Sequence, residues 1–179
     1  MRSKIEDVVM KNFRIDADNF TWINNKKDDP EDLCLHGHAI AVFGNEKLEY
    51  DATVSAAALC LLRTITEDHI INEGLQLFPC CGHSLIPNED LSEVYIIGCN
   101  SGIDWTVLHE NDIVKIILEN GTEMQIRLEE YKKEIFAFAD KVEAFYNACS
   151  PKILPNDEFE RNGYIAFWNE WHKRRNEIE

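Results

Sequence analysis

The sequence predicts an α+β fold in which an antiparallel β-sheet, built from a hairpin and a four-stranded meander, is covered on one face by helices. Short segments of β-branched and aromatic residues are joined at Gly- and Asn-containing turns, as in antiparallel sheets. Two later segments repeat apolar residues at spacings of three and four, which is the period of an amphipathic helix. The chain has 179 residues, 45% of them hydrophobic, so we expect one core and a single domain over residues 1–179.

The N-terminal part, residues 1–53, is expected to contain strands and one β-hairpin. A first strand is predicted within residues 13–22, before a polar loop. Gly44-Asn45 then separates the strand-like segments 36–43 and 46–53, and both turn residues tolerate the positive φ of a two-residue hairpin loop. The resulting register places His38, Ile40, Glu49 and Asp51 on one face and, on the other, Ala39, Ala41, Phe43, Leu48 and Tyr50.

The segment 54–76 begins with an Ala- and Leu-rich run that predicts a buried helix over Val54–Thr66, with Ser55 as its N-cap. The stretch LFPCCGHSLIP follows. Pro79, Gly82 and Pro87 interrupt it so closely that we expect a short extended piece turning over a loop.

The segment 93–128 is expected to form the four-stranded meander. Its strand-like stretches are 94–98, 103–109, 113–118 and 122–128. Asn120-Gly121 predicts a two-residue type I′ turn, with the strand before it inside the sheet and the strand after it near an edge. That turn places five apolar residues on one face: Ile113, Ile117, Met124, Ile126 and Leu128.

Two helices are expected in residues 129–179. The helix at 129–149 has an apolar stripe and a charged outer face. The C-terminal helix, near 157–175, carries an aromatic stripe that must cover a surface, so we expect it to pack on the same body. The stripe consists of Tyr164, Phe167, Trp168 and Trp171.

The charge of the chain limits its partners. There are 33 acidic and 18 basic residues, and the formal net charge is −15. Between His36 and Leu128 there are 14 acids and four bases, so most of this charge falls in the middle of the chain. A face that binds phosphate needs clustered Lys and Arg, so nucleic acid and anionic membranes are not expected partners.

The cysteines and the N-terminal segment together suggest a cytoplasmic protein. The segment MRSKIEDVVMKNF carries charges where a signal peptide needs an apolar core. Without export, reduced thiols are expected in place of a disulfide framework. No apolar run is long enough to span a bilayer. The six cysteines are Cys34, Cys60, Cys80, Cys81, Cys99 and Cys149.

A zinc site is one alternative for the chemistry of the chain. His36 and His38 project to the same side of a predicted strand, and together with Cys81 and His83 they offer ligands that suit zinc. This would make the chain a zinc-binding protein or a zinc-dependent hydrolase. The spacing is weak evidence, because the sequence contains no Cys-x-x-Cys or His-x-x-x-His pair. The competing interpretation is that most of the cysteines are small buried apolar residues.

A nucleophilic cysteine is a second alternative. Cys81 would be activated by His83 or His109, with Asp104 orienting the imidazole. Such sites are recognised by geometry and not by spacing, so the sequence offers little support for this arrangement. An exposed loop thiol is the simpler interpretation.

No motif identifies a reaction, and the acidity favours a non-enzymatic protein that binds a basic protein partner without a cofactor. An immunity or inhibitor protein that neutralises a nuclease toxin has this general profile. A homo-oligomer formed through the aromatic C-terminal helix is a further alternative. The acids expected to form the binding face are Glu46, Glu49, Asp51, Glu89, Asp90, Glu93, Asp104, Glu110 and Asp112.

Overall fold

The chain has the α+β fold that the sequence predicts, and its residues 12–176 form three helices and several small antiparallel sheets. A computed structural model describes residues 12–176. The charges that argue against a signal peptide lie in the segment MRSKIEDVVMKNF. Most of that segment is outside the described residues. None of the helices within residues 12–176 has the length and apolar character needed to cross a membrane.

The strands form two three-stranded sheets and two ribbons. The first sheet has the order β1-β2-β3 and the second sheet the order β10-β9-β8, while β4 pairs with β7 and β5 pairs with β6. The strands are β1 Phe13–Thr21, β2 His36–Phe43, β3 Glu46–Ala52, β4 Phe78–Pro79, β5 Ser84–Pro87, β6 Val94–Ile97, β7 Gly102–Ile103, β8 Thr106–Glu110, β9 Ile113–Ile117 and β10 Glu123–Arg127. The helices are α1 Val54–Arg63, α2 Leu128–Ala148 and α3 Glu158–Asn176.

The predicted hairpin is confirmed in position and in register. Phe43 pairs with Glu46 across the two-residue loop, and Gly44 adopts the positive φ of +66° that this turn requires. His38 lies opposite Asp51 and Ile40 opposite Glu49, on the outer face. The inner face is buried and includes Ala39, Ala41 and Phe43.

The predicted four-stranded meander is wrong, because only β8, β9 and β10 form one. Strand β9 is central and β10 is at the edge, as predicted. Strand β6 instead pairs with β5, which lies inside the stretch predicted to be a short extended piece turning over a loop. The prolines of that stretch are compatible with strands because Pro79 ends β4 and Pro87 ends β5, where a missing N–H costs little pairing.

The register predicted for the β9–β10 hairpin is also wrong, by one residue. Its loop contains three residues: Gly121 N–H donates to Leu118 O at 2.9 Å, and Gly121 has φ +83°. The additional residue reverses which side chains of β9 share a face with Met124 and Ile126. These two residues lie opposite Ile116 and Val114, and all four are buried.

Helix α1 is shorter than predicted and lies inside the molecule. It ends at Arg63, and the predicted N-cap Ser55 instead accepts a hydrogen bond from Leu35 N–H at 3.1 Å. Every residue from Val54 to Leu62 is buried. Because α1 contacts α2, α3, β2 and β4, the helices do not lie together on one face of a single sheet.

The two C-terminal helices are confirmed, and both pack on the common core. Helix α2 contacts β1 and the second sheet, whereas α3 lies against β5 and β6. In α3 the aromatic residues Tyr164, Phe167 and Trp171 are buried. A Cβ placed at Gly163 would lie 2.3 Å from Leu85 O, so only glycine permits α3 to approach β5 this closely.

Candidate functional site

The nine acids expected to form a binding face are spread over four places. Seven of them are exposed, Glu46 is half-buried, and the carboxylate of Asp104 is buried. Glu46, Glu49 and Asp51 lie on β3; Glu89, Asp90 and Glu93 lie in the turn between β5 and β6; Glu110 and Asp112 lie at the turn between β8 and β9; and Asp104 precedes β8.

Asp104 does not lie on an exposed face as predicted, because its side chain is only 5% exposed. Its Oδ1 lies 2.7 Å from His69 Nε2 and accepts a hydrogen bond from Leu77 N–H at 3.1 Å. Its Oδ2 accepts one from Asn72 N–H at 3.0 Å. Asp104 therefore holds the segment between α1 and β4 in place and is not available to a partner.

Two of the three acids of β3, Glu49 and Asp51, are paired within the outer face of the first sheet, whereas Glu46 alternates to the other face. His38 Nδ1 lies 2.8 Å from Asp51 Oδ1, and His38 Nε2 lies 3.4 Å from Glu49 Oε1. Lys47 Nζ lies 2.6 Å from Glu49 Oε2. The hydrogen bond to Asp51 raises the pKa of His38 above its ordinary value. Much of the charge on this face is compensated locally.

The four residues of the zinc alternative are not brought together. The rings of His36 and His83 are 5.5 Å apart, but His38 turns to Asp51 and Cys81 lies against Cys99. Within residues 12–176 no group of three or more His, Cys, Asp or Glu side chains is arranged to hold a metal ion.

The nucleophilic alternative is not assembled either. Asp104 contacts His69, which is neither of the histidines expected to serve Cys81. His109 Nδ1 lies 2.8 Å from Asp68 Oδ1, and its Nε2 lies 3.1 Å from Ile65 O. Both contacts join β8 to the segment that follows α1.

The β5–β6 ribbon carries a surface that the sequence argument missed. Its inner face packs against α3 and includes Leu85 and Ile96. Its outer face is apolar: Tyr95 is 68% exposed and Ile97 is 46% exposed. We call this outer face, which consists of Ser84, Ile86, Tyr95 and Ile97, the Tyr95 face.

Two depressions flank Tyr95, and both are lined by carboxylates. One has a volume of about 210 Å³ and includes Glu67, Asp68 and Glu73. The other has a volume of about 440 Å³ and includes Glu67 and Glu93. Together with Glu89 and Asp90 in the adjoining turn, these four acids form what we call the acidic rim. Three of its six members belong to the predicted set: Glu89, Asp90 and Glu93.

A buried ion pair fixes the Tyr95 face to the core. Arg63 donates through Nε and Nη2 to both oxygens of Glu170, each at 2.7 Å, and Arg174 Nε donates to Oε1 at 2.7 Å. Val94 N–H, at the start of β6, donates to Glu170 Oε2 at 2.9 Å. Burial would raise the pKa of Glu170, but these hydrogen bonds keep it below its ordinary value.

The sequence contains one signal for this surface. Strand β6 reads Val94-Tyr95-Ile96-Ile97 and is therefore apolar on both faces, although the ribbon has only one face to bury. Such a strand either lies inside a sheet or presents an apolar face to a partner, and the pairing with β5 decides between the two. Without knowledge of that pairing, the sequence predicts an ordinary strand of the meander.

Comparisons of the chain with protein-family models, with curated proteins and with solved structures find no match. The function must therefore be inferred from the chemistry of the surface. An exposed aromatic and aliphatic centre within a charged rim has the composition of many protein–protein interfaces.

Proposed function

We propose that this chain is a non-enzymatic binding protein that captures a basic protein partner on the Tyr95 face. The observation that carries the proposal is the exposure of Tyr95 and Ile97 on a rigidly anchored ribbon that is surrounded by carboxylates. The proposal keeps the function predicted from the charge but moves most of the contact surface away from β3.

The apolar centre supports the proposal through its hydrophobic area. Tyrosine is enriched among the residues that dominate binding energy, because it buries a large rigid surface and keeps a hydroxyl for a hydrogen bond. Ile86 and Ile97 flank Tyr95 on the same outer face. A partner that covered these side chains would remove exposed apolar area from water at both surfaces.

The acidic rim supports the choice of partner. Four acids of the rim line the two depressions. Arg174 pairs with Glu67 as well as with Glu170, and Lys173 lies 3.7 Å from Glu93, so the cations compensate part of the rim. The chain as a whole carries a net charge of −15. Electrostatic attraction would steer a partner that has an apolar patch surrounded by Lys and Arg towards this face and would favour one docking orientation. Acidic proteins would be repelled.

An immunity or inhibitor protein that neutralises a basic nuclease toxin is one function of this kind. A toxin that binds nucleic acid must present a basic surface, and an acidic binding protein can cover it. The proposal also includes a cytoplasmic location, because all six cysteines are free thiols and such thiols persist in reducing compartments.

The test begins with the full chain immobilised as bait at low salt, followed by purification of the proteins it retains. With a purified partner, we expect Tyr95→Ala to weaken binding by about 30-fold or more, as truncation of a dominant interface residue does. Combined Glu67→Gln and Glu73→Gln substitutions should reduce the salt dependence of the affinity. The matched control is Glu49→Gln with Asp51→Asn, which neutralises two acids outside the Tyr95 face and should preserve binding.

Two results would contradict the proposal. The first is a partner with an acidic surface, or one whose affinity is the same with and without Tyr95. The second is a dimer of this chain in light scattering that Tyr95→Ala converts to monomer, because the face would then be a self-contact. Like charges in the two facing rims oppose such a dimer, and this is why we favour a basic partner.

A further inference from the structure

Three of the six cysteines meet at one end of the β5–β6 ribbon. Cys80 and Cys81 lie in the connector from β4 to β5, and Cys99 lies in the connector from β6 to β7. The two connectors are in direct contact: Cys80 N–H donates to Ser101 O at 3.0 Å, and a Cβ placed at Gly98 would lie 2.5 Å from Cys81 O.

The sulfur atoms of these residues interact. Cys99 N–H donates to Cys81 Sγ at 3.0 Å, so the Cys81 sulfur lies against the backbone of Cys99. Cys99 Sγ also lies 3.9 Å from Ser101 O. Hydrogen bonding with Cys81, then with Ser101 and Cys80, lowers the pKa of Cys99 to about 7, so an appreciable fraction of this exposed thiol is thiolate at neutral pH.

The buried thiols of the chain are chemically different. Burial raises the pKa of Cys34 to about 12 and that of Cys60 to about 11. Neither side chain is open to solvent, since their exposed fractions are 8% and 6%. Oxidants therefore have a selective target, because thiolate character and exposure together determine which cysteines react.

We propose that Cys81 and Cys99 are an oxidation site that forms an intramolecular disulfide with peroxides. The Cys99 sulfur attacks one oxygen of hydrogen peroxide, which forms a sulfenic acid and releases the first water. The Cys81 sulfur then attacks the sulfenic sulfur, which forms the S–S bond and releases the second water. The two thiols lose two electrons and two protons in total, and the peroxide is reduced.

Cys81 is the partner, and not Cys80, for a geometric reason. Cys80 and Cys81 are adjacent and point in different directions, and neighbouring cysteines rarely bond to each other. Cys81 Sγ is already in contact with the main chain of Cys99, whereas the thiol of Cys80 also contacts Tyr50 and raises the pKa of that phenol. The bond would close a loop over β5 and β6, and its formation does not depend on the proposed function.

The experiment treats the reduced full chain with equimolar hydrogen peroxide under native conditions. We expect the chain to lose the mass of two hydrogen atoms and two of its six titratable thiols. Glu89 and Glu93 lie between Cys81 and Cys99, so cleavage after glutamate gives two peptides that remain linked until a reductant is added. The midpoint of thermal unfolding should rise by roughly 5–10 °C.

Four single variants assign the bond. Cys81→Ser and Cys99→Ser should each abolish the loss of mass, whereas Cys80→Ser and the distant Cys149→Ser should retain it. Addition of oxygen atoms without loss of hydrogen, a disulfide between two chains, or loss of the bond in Cys80→Ser would each overturn the proposal.

Discussion

The first sheet and the β5–β6 ribbon both bury one face and expose the other, yet their exposed faces differ in chemistry. On the first sheet the outer face carries ion pairs, such as His38 with Asp51 and Lys47 with Glu49. On the ribbon the outer face carries Tyr95 and Ile97. A charged face that compensates itself is stable in water, whereas an exposed apolar face leaves favourable free energy to be gained by binding a partner.

The two regions also differ in how they are held. The first sheet is a hairpin of seven- and eight-residue strands extended by β1, and its long pairings hold most of its backbone. The ribbon consists of two four-residue strands and depends on contacts from α3 and from the buried carboxylate of Glu170. An isolated two-stranded ribbon is marginally stable, so these contacts determine whether the Tyr95 face exists.

The largest expected effect is that of Glu170→Gln. This variant leaves the cations Arg63 and Arg174 without their buried carboxylate, and we expect the free energy of unfolding to fall by about 3–5 kcal/mol. The matched control is Glu49→Gln, whose exposed ion pair should contribute less than about 1 kcal/mol. Urea denaturation measures both, and equal losses in the two variants would remove the distinction between the regions.

A smaller loss is expected from Gly163→Ala. In an exposed helix this substitution would stabilise the protein by about 0.5–1 kcal/mol, because alanine favours helix more than glycine. At this position the new Cβ would meet Leu85 O, so we expect a loss of about 1–3 kcal/mol. The sign of the change measured by urea denaturation is the test, and a gain in stability would show that α3 can move away from β5.

The third prediction concerns pH, and it distinguishes two histidines of β2, both in the first sheet, by the sign of their effect on stability. Burial and then His83 lower the pKa of His36, so its contribution is present above the ordinary value of 6.5 and is lost as the pH falls through that value towards the lower folded-state pKa. Asp32 opposes this shift. The pKa of His38 is raised by Asp51, so its contribution is lost as the pH rises through the folded-state pKa.

Denaturation of His36→Gln and His38→Gln from about pH 7.5 to about pH 5.5 measures both contributions. Relative to the wild type, His36→Gln should become more stable at the acidic end and His38→Gln less stable there. Parallel pH profiles for the wild type and both variants would contradict the assignment.

The smallest expected effect is that of Tyr95→Ser in the absence of a partner. Because Tyr95 is 68% exposed, we expect its truncation to change the free energy of unfolding by less than about 0.5 kcal/mol. Its neighbour Ile96 is 4% exposed, and Ile96→Ala should cost about 2–5 kcal/mol in the same urea experiment. A large loss in Tyr95→Ser would mean that the Tyr95 face serves stability and not binding.

The elements predicted correctly are those that local sequence determines. Gly44-Asn45 between two alternating segments is sufficient to fix the β2–β3 hairpin. The repeating apolar residues of α2 and α3 are similarly sufficient to place both helices. In the β9–β10 loop, by contrast, one additional residue changes the register, and Asn120-Gly121 is compatible with both loop lengths.

The elements that were missed depend on distant partners. Strand β6 could pair with β5 or with β8, and the sequence does not show which pairing has the lower free energy. The burial of Asp104 is set by His69 and Leu77, which precede it by many residues. The Tyr95 face could not be recognised before the pairing of β6 was known, since pairing decides which side chains face solvent.

Helix α1 has a consequence for how the chain is made. Its residues Val54–Leu62 carry no charge and are enclosed by elements from both ends of the described chain, including α3. During synthesis α1 leaves the ribosome well before α3. This apolar helix therefore remains partly uncovered until α3 has been synthesised. We therefore expect the nascent chain to attract chaperones at this helix, and chains that end before α3 to aggregate.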